Sequence, residues 1–295
     1  MTILLAAVDT GSLSAASRQL HVPLATVSRR VSELEEHLHA RLLLRGTRKL
    51  TLTDAGREYV AVCRRIIEDI DEAERTATGE YRAPQGELII AAPLVIGRYH
   101  VVPVLVEFLQ AYPQIRARIQ LSDRVTNLLE EHIDVAVRLG ELPDSDMIAT
   151  RIALISRVLC ASPVYLASRG MPKEPGDLVS HDCITYQGYS AADKWEFLTG
   201  HPPQMITVSS RLTVNLAEAA VTAAVTGAGI ARVLSDQITE PLKSGALVRL
   251  LQAFEPAPMP ASLVYPSQRH VPLKLRAFLD FATPRLRERL GYKAS

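Results

Sequence analysis

The chain has little of what would tie it to a membrane, the cell exterior or a metal centre. Its three cysteines, Cys63, Cys160 and Cys183, are odd in number and far apart, which argues against a disulfide framework. No uninterrupted apolar run reaches the roughly 18 residues of a membrane span. The opening MTILLAAVDTGS carries neither the basic stretch nor the small-residue cleavage site of a secretory leader. A cytoplasmic protein without membrane contact is expected. Charge of one sign is missing too: 33 Lys and Arg against 32 Asp and Glu leave +1, so global charge does not announce a nucleic-acid binder.

Enzyme signatures are equally scarce. The stretch Gly227-Ala-Gly229-Ile-Ala-Arg232 imitates a dinucleotide fingerprint, but it follows a helical pattern where a strand is required, and Arg232 fills the third glycine position. There is no P-loop. Gly188-Tyr-Ser190-Ala-Ala192 lacks the closing glycine of a nucleophile elbow. Glu33, His37 and His39 are not joined by an H-E-x-x-H or a Cys/His set. No catalytic residue, metal or cofactor is expected.

What is present is organised. At 295 residues with 47% hydrophobic and 22% charged content, the chain is globular and long enough for two or three domains. Basic residues are concentrated early: Arg18, Arg29, Arg30, Arg41, Arg45, Arg48 and Lys49 stand against Glu33, Glu35 and Glu36, a local excess of +4. A short apolar helix over residues 3–9 stops at Thr10-Gly11, and Ser12 or Ser14 can cap a second one, AASRQL. Pro23 opens a third helix to about His39, with Val27, Val31, Leu34 and Leu38 as its buried stripe. Arg29 falls nearly opposite that stripe, flanked by Thr26, Ser28 and Arg30, a face suited to a major groove. The same pattern also fits a generic αα-hairpin with a polar outer side. Two short strands follow, around Leu42–Leu44 and Lys49–Thr51. Gly46 sits at their tip with Arg45, Arg48 and Lys49 around it, as a DNA-contacting wing requires.

These residues carry a resemblance. GSLSAASRQL, followed by ATVSRRVSELEEHLHARLLLRGTRKLTLTDAG, resembles the N-terminal signature of LysR-type transcription regulators. Ala15-Ala16, Val27-Ser28-Arg29, Leu34-Glu35 and Leu52-Thr53-Asp54-Ala55-Gly56 all fall in that family's spacing, without a gap. The sensor string LCASPVYLASRG resembles one subgroup of the family. Two departures stand out. Pro23-Leu24-Ala25 replaces the amide-bearing opening common in the third helix, and His21 stands where glycine is frequent.

Thr53 can cap a long helix to about Gly79. Tyr59, Cys63, Ile66, Ile70, Ala73 and Ala77 recur on it at alternating steps of four and three, a 3.5-residue seam. Such a helix, roughly 40 Å long, outruns a small domain. A partner helix is expected on the seam, and the resemblance implies a homodimer there and a tetramer beyond it.

After a hinge at residues 80–86 the chain alternates strands and helices. The expected order is a strand at Leu88–Ala92, a helix at Arg98–Tyr112, a strand at Ile115–Leu121, a helix at Val125–His132 and a strand at Ile133–Leu139. This βαβα order predicts a parallel sheet. A second unit then runs through strands near residues 158, 183, 195, 205, 212 and 229. In it a capping box joins Asn215 to Glu218, and the final helix is Leu273–Leu290. The resemblance implies a two-lobed, periplasmic-binding-protein-like α/β domain.

The resulting layout is a winged helix-turn-helix over 1–53, a linker and dimerisation helix over 54–80, and an effector domain over 86–295. Lobe I takes about 86–160 and 266–295, and lobe II about 161–265. Ligands of open α/β sheets sit beyond the carboxyl ends of strands. Pro93, Leu94, Val95, Ser122, Arg138, Tyr186, Gln187 and Asn215 are therefore the candidates for an unknown small-molecule effector. The helix starts near Gly97 and Asn215 favour a carboxylate. Arg138 pairs equally well with Asp134 or Asp144, and Asn215 reads equally well as a simple cap. The expected DNA contacts are Ser12, Ser14, Thr26, Ser28, Arg29, Arg30, Arg45, Arg48 and Lys49 on double-stranded DNA, and the expected dimer contacts are Tyr59, Cys63, Ile66, Ile70 and Ala73. A solute-binding protein without DNA function is the competing reading, and residues 12–53 speak against it.

Overall fold

The computed structural model describes all residues but 46–49, 79–82, 125–126, 143–145, 187–192, 268–270 and 293–295. The side chains of Arg45, Arg65, Glu68, Asp69 and residues 71–78 also fall outside the description. The chain divides into two compact units, Met1–Arg82 and Ala83–Ser295.

The first unit runs α1 (Thr2–Asp9), α2 (Leu13–Leu20), α3 (Leu24–His37), β1 (Leu43–Arg45), β2 (Leu50–Leu52) and α4 (Asp54–Thr78). Ser12 caps α2, its hydroxyl oxygen accepting from Ala15 N at 3.0 Å. His21 ends α2 at φ 53°, the left-handed turn that glycine would take more cheaply. Val27 and Val31 are buried, as the stripe predicts. The hairpin lies one residue further along than the sequence pattern suggests. Glu35 Oε1 accepts from both Leu42 N (2.8 Å) and Leu43 N (3.0 Å), so Leu42 is tied to α3 and the ladder starts at Leu43.

Thr53 caps α4 as expected, accepting from Gly56 N at 2.9 Å and donating to Arg41 O at 2.6 Å. Gly56 has no substitute here, because a Cβ at that position would stand 2.0 Å from Leu42 O. The seam on α4 divides. Cys63 is buried in this unit's own core beside Leu4, Leu42, Leu43 and Val60, with half-buried Tyr59 against the same cluster. Cys63 is therefore core packing and not a dimer contact: the winged domain needs a fourth apolar wall, and the first turns of α4 supply it. Ile66 and Ile70 are exposed, and the side chain of Ala73 lies outside the described residues.

The second unit opens with β3 (Gly86–Ala92), α5 (Leu94–Ala111), β4 (Ile115–Leu121), β5 (Val135–Leu139) and β6 (Met147–Ile155). It continues with β7 (Arg157–Ala161), α6 (Pro163–Arg169), β8 (Cys183–Tyr186), β9 (Lys194–Phe197), β10 (Gln204–Thr207) and β11 (Ser210–Val214). It closes with α7 (Ala217–Val225), β12 (Ile230–Leu234), α8 (Thr239–Lys243), β13 (Val248–Leu250), β14 (Met259–Pro266) and α9 (Leu273–Arg289). Lobe I is the sheet β4-β3-β5-β14-β6, and lobe II is β11-β8-β12-β7-β13 with the hairpin β9/β10 beside it.

Several expectations are corrected. The lobe I sheet is mixed, because β14 returns antiparallel to both β5 and β6. The crossovers fall at Ser156 and before Met259, so residues 157–161 belong to lobe II and 259–266 to lobe I. Residues 127–132 form turns and not a helix: the Asn127 side chain accepts from Leu129 N at 3.1 Å, a local bond that competes with helical pairing. Strand β6, unread in the sequence, lies at one edge of the sheet, with Ile152, Ala153 and Ile155 buried and Ile148, Ala149, Arg151 and Leu154 exposed. Asn215 does not cap α7, whose N-cap is Leu216 without a side-chain bond. The helix α5 is long and apolar enough to cross a membrane, yet its Ile96, Val101, Val104, Leu105 and Phe108 are buried in the lobe I core. Phe108 meets Phe278 of α9 edge-on at 5.3 Å.

Asp134 pairs with a residue the sequence did not suggest. Lys274 on α9 is buried, its ammonium 3.9 Å from Asp134 Oδ2 and donating to Glu87 O at 2.6 Å. The same carboxylate oxygen accepts from Ile89 N at 2.8 Å. The imitation of a nucleotide motif also finds its physical reason: at φ 152° Gly229 lets β12 pass Asp182, whose carbonyl oxygen would lie 2.3 Å from a Cβ.

Candidate DNA interface and effector crevice

On α3 the outward face is polar and accessible. The side chains of Arg29 and Arg30 are 65% and 61% exposed, and both lean on Glu33, at 3.8 Å and 3.3 Å respectively. Thr26 and Ser28 are half-buried beside them, and Ser14 is exposed on α2. Ser12 is occupied as a cap, so its hydroxyl is engaged within the protein. The backbone of Arg45 stands at the end of β1, while Arg48 and Lys49 lie outside the described residues. The sequence did not reveal Glu33 as the brace of both arginines, although the i, i+3 and i, i+4 spacing carries that signal. The exposed guanidiniums offer the bidentate donors that guanine or a phosphate accepts.

In the second unit the carboxyl ends of β3, β4 and β5 enclose a crevice of about 60 Å³. Pro93, Ser122 and Arg138 of the sequence candidates line it, together with Gln120 and Arg124. Ser122 is held there by a bond from its backbone N to Ala92 O at 3.0 Å. Leu94 and Val95 begin α5 directly behind.

The residue that organises this end of the lobes is Asp123, which the sequence reading passed over. Its Oδ1 accepts from Leu94 N at 3.0 Å and its Oδ2 from the Tyr186 hydroxyl at 2.6 Å. Tyr186 ends β8 of lobe II, so one carboxylate joins the two lobes. Burial first, and the Asp123 charge with its hydrogen bond after it, push the Tyr186 hydroxyl well above its ordinary range, and it remains a donor. The Leu94 N–H at the start of α5 is thus already satisfied by Asp123. The position of Asp123, at the end of β4 next to Ser122, was the available signal. Gln187 lies outside the described residues, and Asn215 is exposed beyond β11.

No group of three or more His, Cys, Asp or Glu side chains able to hold a metal exists among the described residues. Burial pushes the thiols of Cys160 and Cys183 up to about 12, which makes both poor nucleophiles at neutral pH.

Comparison with known proteins fits this geometry. A family model described as a bacterial regulatory helix-turn-helix protein, lysR family, matches residues 1–57, and one described as the LysR substrate binding domain matches 82–287. An HTH-type transcriptional repressor of Pseudomonas aeruginosa is 35% identical over 93% of this chain and 87% of its own. The HTH-type transcriptional regulator CrgA of Neisseria meningitidis is 32% identical over 97% of this chain and 96% of its own. The solved CrgA structure covers 98% of this chain and 97% of its own, with a TM-score of 0.63. The Vibrio cholerae virulence activator AphB, 29% identical, covers 95% of this chain and 96% of its own at a TM-score of 0.61.

Proposed function

The chain belongs to the LysR family of DNA-binding transcription regulators, and from that premise we propose which of its residues read DNA and which answer the effector. Arg29 reads a base from the exposed face of α3, with Thr26, Ser28, Ser14 and Arg30 on flanking bases or phosphates. Arg45, Arg48 and Lys49 place the wing on the backbone or minor groove. Two copies joined along α4, through exposed Ile66 and Ile70, present two such helices to an inverted repeat, and dimers pair into a tetramer. The protein works in the cytoplasm, without catalysis and without a metal or cofactor.

The effector is a small molecule, and a carboxylate suits the crevice, where Ser122, Arg124 and Arg138 supply donors and positive charge. The observation that carries the reading is the bridge from Leu94 N through Asp123 to Tyr186. An anion entering beside Pro93 competes with Asp123 for the Leu94 N–H and the Tyr186 hydroxyl, and so changes the bond between the lobes. The effector then favours one lobe arrangement by its differential affinity. Footprinting of the purified protein on the promoter beside its own gene tests the DNA half. Protection of a dyad-symmetric site that weakens steeply with salt is the expected result, and folded dimer that protects nothing at low salt would return the solute-binding reading.

A further inference from the structure

Sharing no lining residue with the crevice, a larger cavity of about 900 Å³ opens among α5, α7, α8 and the end of α9. That volume falls within the ~300–1,000 Å³ of small-molecule sites. Val95, Leu154, Ile155, Val221 and Leu290 give it apolar walls. The cations around it are engaged inside the protein. Arg98 of lobe I pairs with Glu218 of lobe II at 2.7 Å, Lys243 pairs with Glu240 at 2.8 Å, and Arg289 donates to Tyr99 O at 3.2 Å.

Two lining residues are not engaged. Both carboxyl oxygens of Asp236 and the Nδ1 of His100 are buried without a hydrogen-bond partner. A buried carboxyl with no donor is an expensive arrangement to keep in a folded chain. Burial first pushes this carboxyl up to about 6, with its own backbone N–H pulling the other way and the charge of Asp123 adding to the rise, and no other described residue donates to it. Burial and the Arg289 charge hold His100 below its ordinary range, so its ring is neutral there and can accept a proton donor.

What the cavity lacks is a cationic hydrogen-bond donor. We propose that it is a second ligand site, distinct from the crevice, which takes a small organic amine. The ammonium sits against Asp236 and the His100 ring, and the apolar body lies on Val95, Leu154 and Val221. A carboxylate ligand would set a second anion beside Asp236, whereas an amine supplies the missing donors. Because Arg98 and Glu218 tie the lobes together at the rim, the occupant touches both lobes at once. The inference does not depend on what the crevice binds.

Calorimetry on the full-length protein near neutral pH tests it, with phenethylamine and 3-phenylpropionate as probes of similar body and opposite charge. Saturable binding of the amine, at least about tenfold tighter than the acid, is expected. Asp236→Asn should weaken the amine at least about tenfold, and Val221→Trp, which fills the cavity without touching the carboxyl, should do the same. Arg138→Ala, in the crevice, should leave amine binding unchanged, so loss of effector response in that variant bears on the crevice alone. The proposal is overturned by equal affinity for the two probes, by amine binding that survives both cavity variants, or by no saturable binding of the amine.

Discussion

Tyr186 and Asp123 stand on different lobes and share a 2.6 Å hydrogen bond from hydroxyl to carboxylate. A charge-assisted bond of this kind contributes about 1.5–3 kcal/mol. Tyr186→Phe should therefore lower the unfolding free energy by about that much while leaving the fold intact. Asp123→Asn should lose less, since its amide oxygen can still accept from Leu94 N while its NH2 donates to the Tyr186 oxygen. Urea titration of both variants checks this, and an unchanged midpoint for Tyr186→Phe would show that the bond contributes nothing net.

Arg29→Ala should weaken specific operator binding by about 1–3 kcal/mol while sparing random DNA. Its brace offers a second handle. Glu33→Ala releases Arg29 and Arg30 from their ion pairs and removes a negative charge from the exposed face of α3. Affinity for random DNA should rise and its salt dependence steepen. Titration of labelled duplexes at several salt concentrations separates the two effects, and equal losses on both DNAs for Arg29→Ala would make that arginine a phosphate contact.

Lys274→Met takes the cation away from the buried Asp134 carboxyl, a change that costs about 3–5 kcal/mol. The double variant Lys274→Met/Asp134→Asn should recover much of the loss, because no lone charge remains. Thermal unfolding of the two variants beside the parent decides it. A single variant as stable as the parent would mean that water reaches Asp134.

Ile66→Asp and Ile70→Asp should dissociate the dimer while leaving the winged unit folded, since both side chains are exposed on α4. Cys63→Asp should do the reverse and unfold that unit, because its thiol is buried in the unit's own core. Sedimentation and circular dichroism read the two outcomes separately.

Asp236 makes stability depend on acidity. Its carboxyl is raised from an ordinary 3.8 to about 6, so the folded state holds a proton that the unfolded state has already released. This contribution favours the fold most below about pH 4 and is lost as pH rises through about 6, where ionisation costs the folded state on the order of 3 kcal/mol. Asp236→Asn should stabilise the protein near neutral pH and flatten that part of the profile. A parallel offset between variant and parent at every pH would contradict it.

Most of the first unit was legible because its signals are local. The stripe of Val27 and Val31, the Ser12 and Thr53 caps and the left-handed His21 each follow from a few neighbouring residues. The division of the α4 seam was not legible, since spacing alone cannot tell a partner helix from the unit's own core, and Cys63 went to the latter. Long-range pairings were the main omission. Strand β6 hid because its buried and exposed residues do not alternate, and Lys274 with Asp134 lies 140 positions apart in sequence. At the crevice, strand ends pointed to Pro93, Ser122 and Arg138, which line the opening. Asp123 escaped because its role needs Tyr186, which only the folding of lobe II brings near.

The absence of a side chain at Gly56 has a mechanical consequence. Gly56 is seated against the Leu42 carbonyl and Thr53 is bonded to Arg41, so the start of α4 is fastened to the segment that leads into the wing, while Arg64 pairs with Asp9 of α1. Glu35 in turn fastens α3 to that same wing. Through these contacts α3, Arg41–Leu43 and the first turns of α4 are held together as one part, a key with its shank. If α3 reads DNA, a rotation of the first turns of α4 carries the reading helix with it through these contacts.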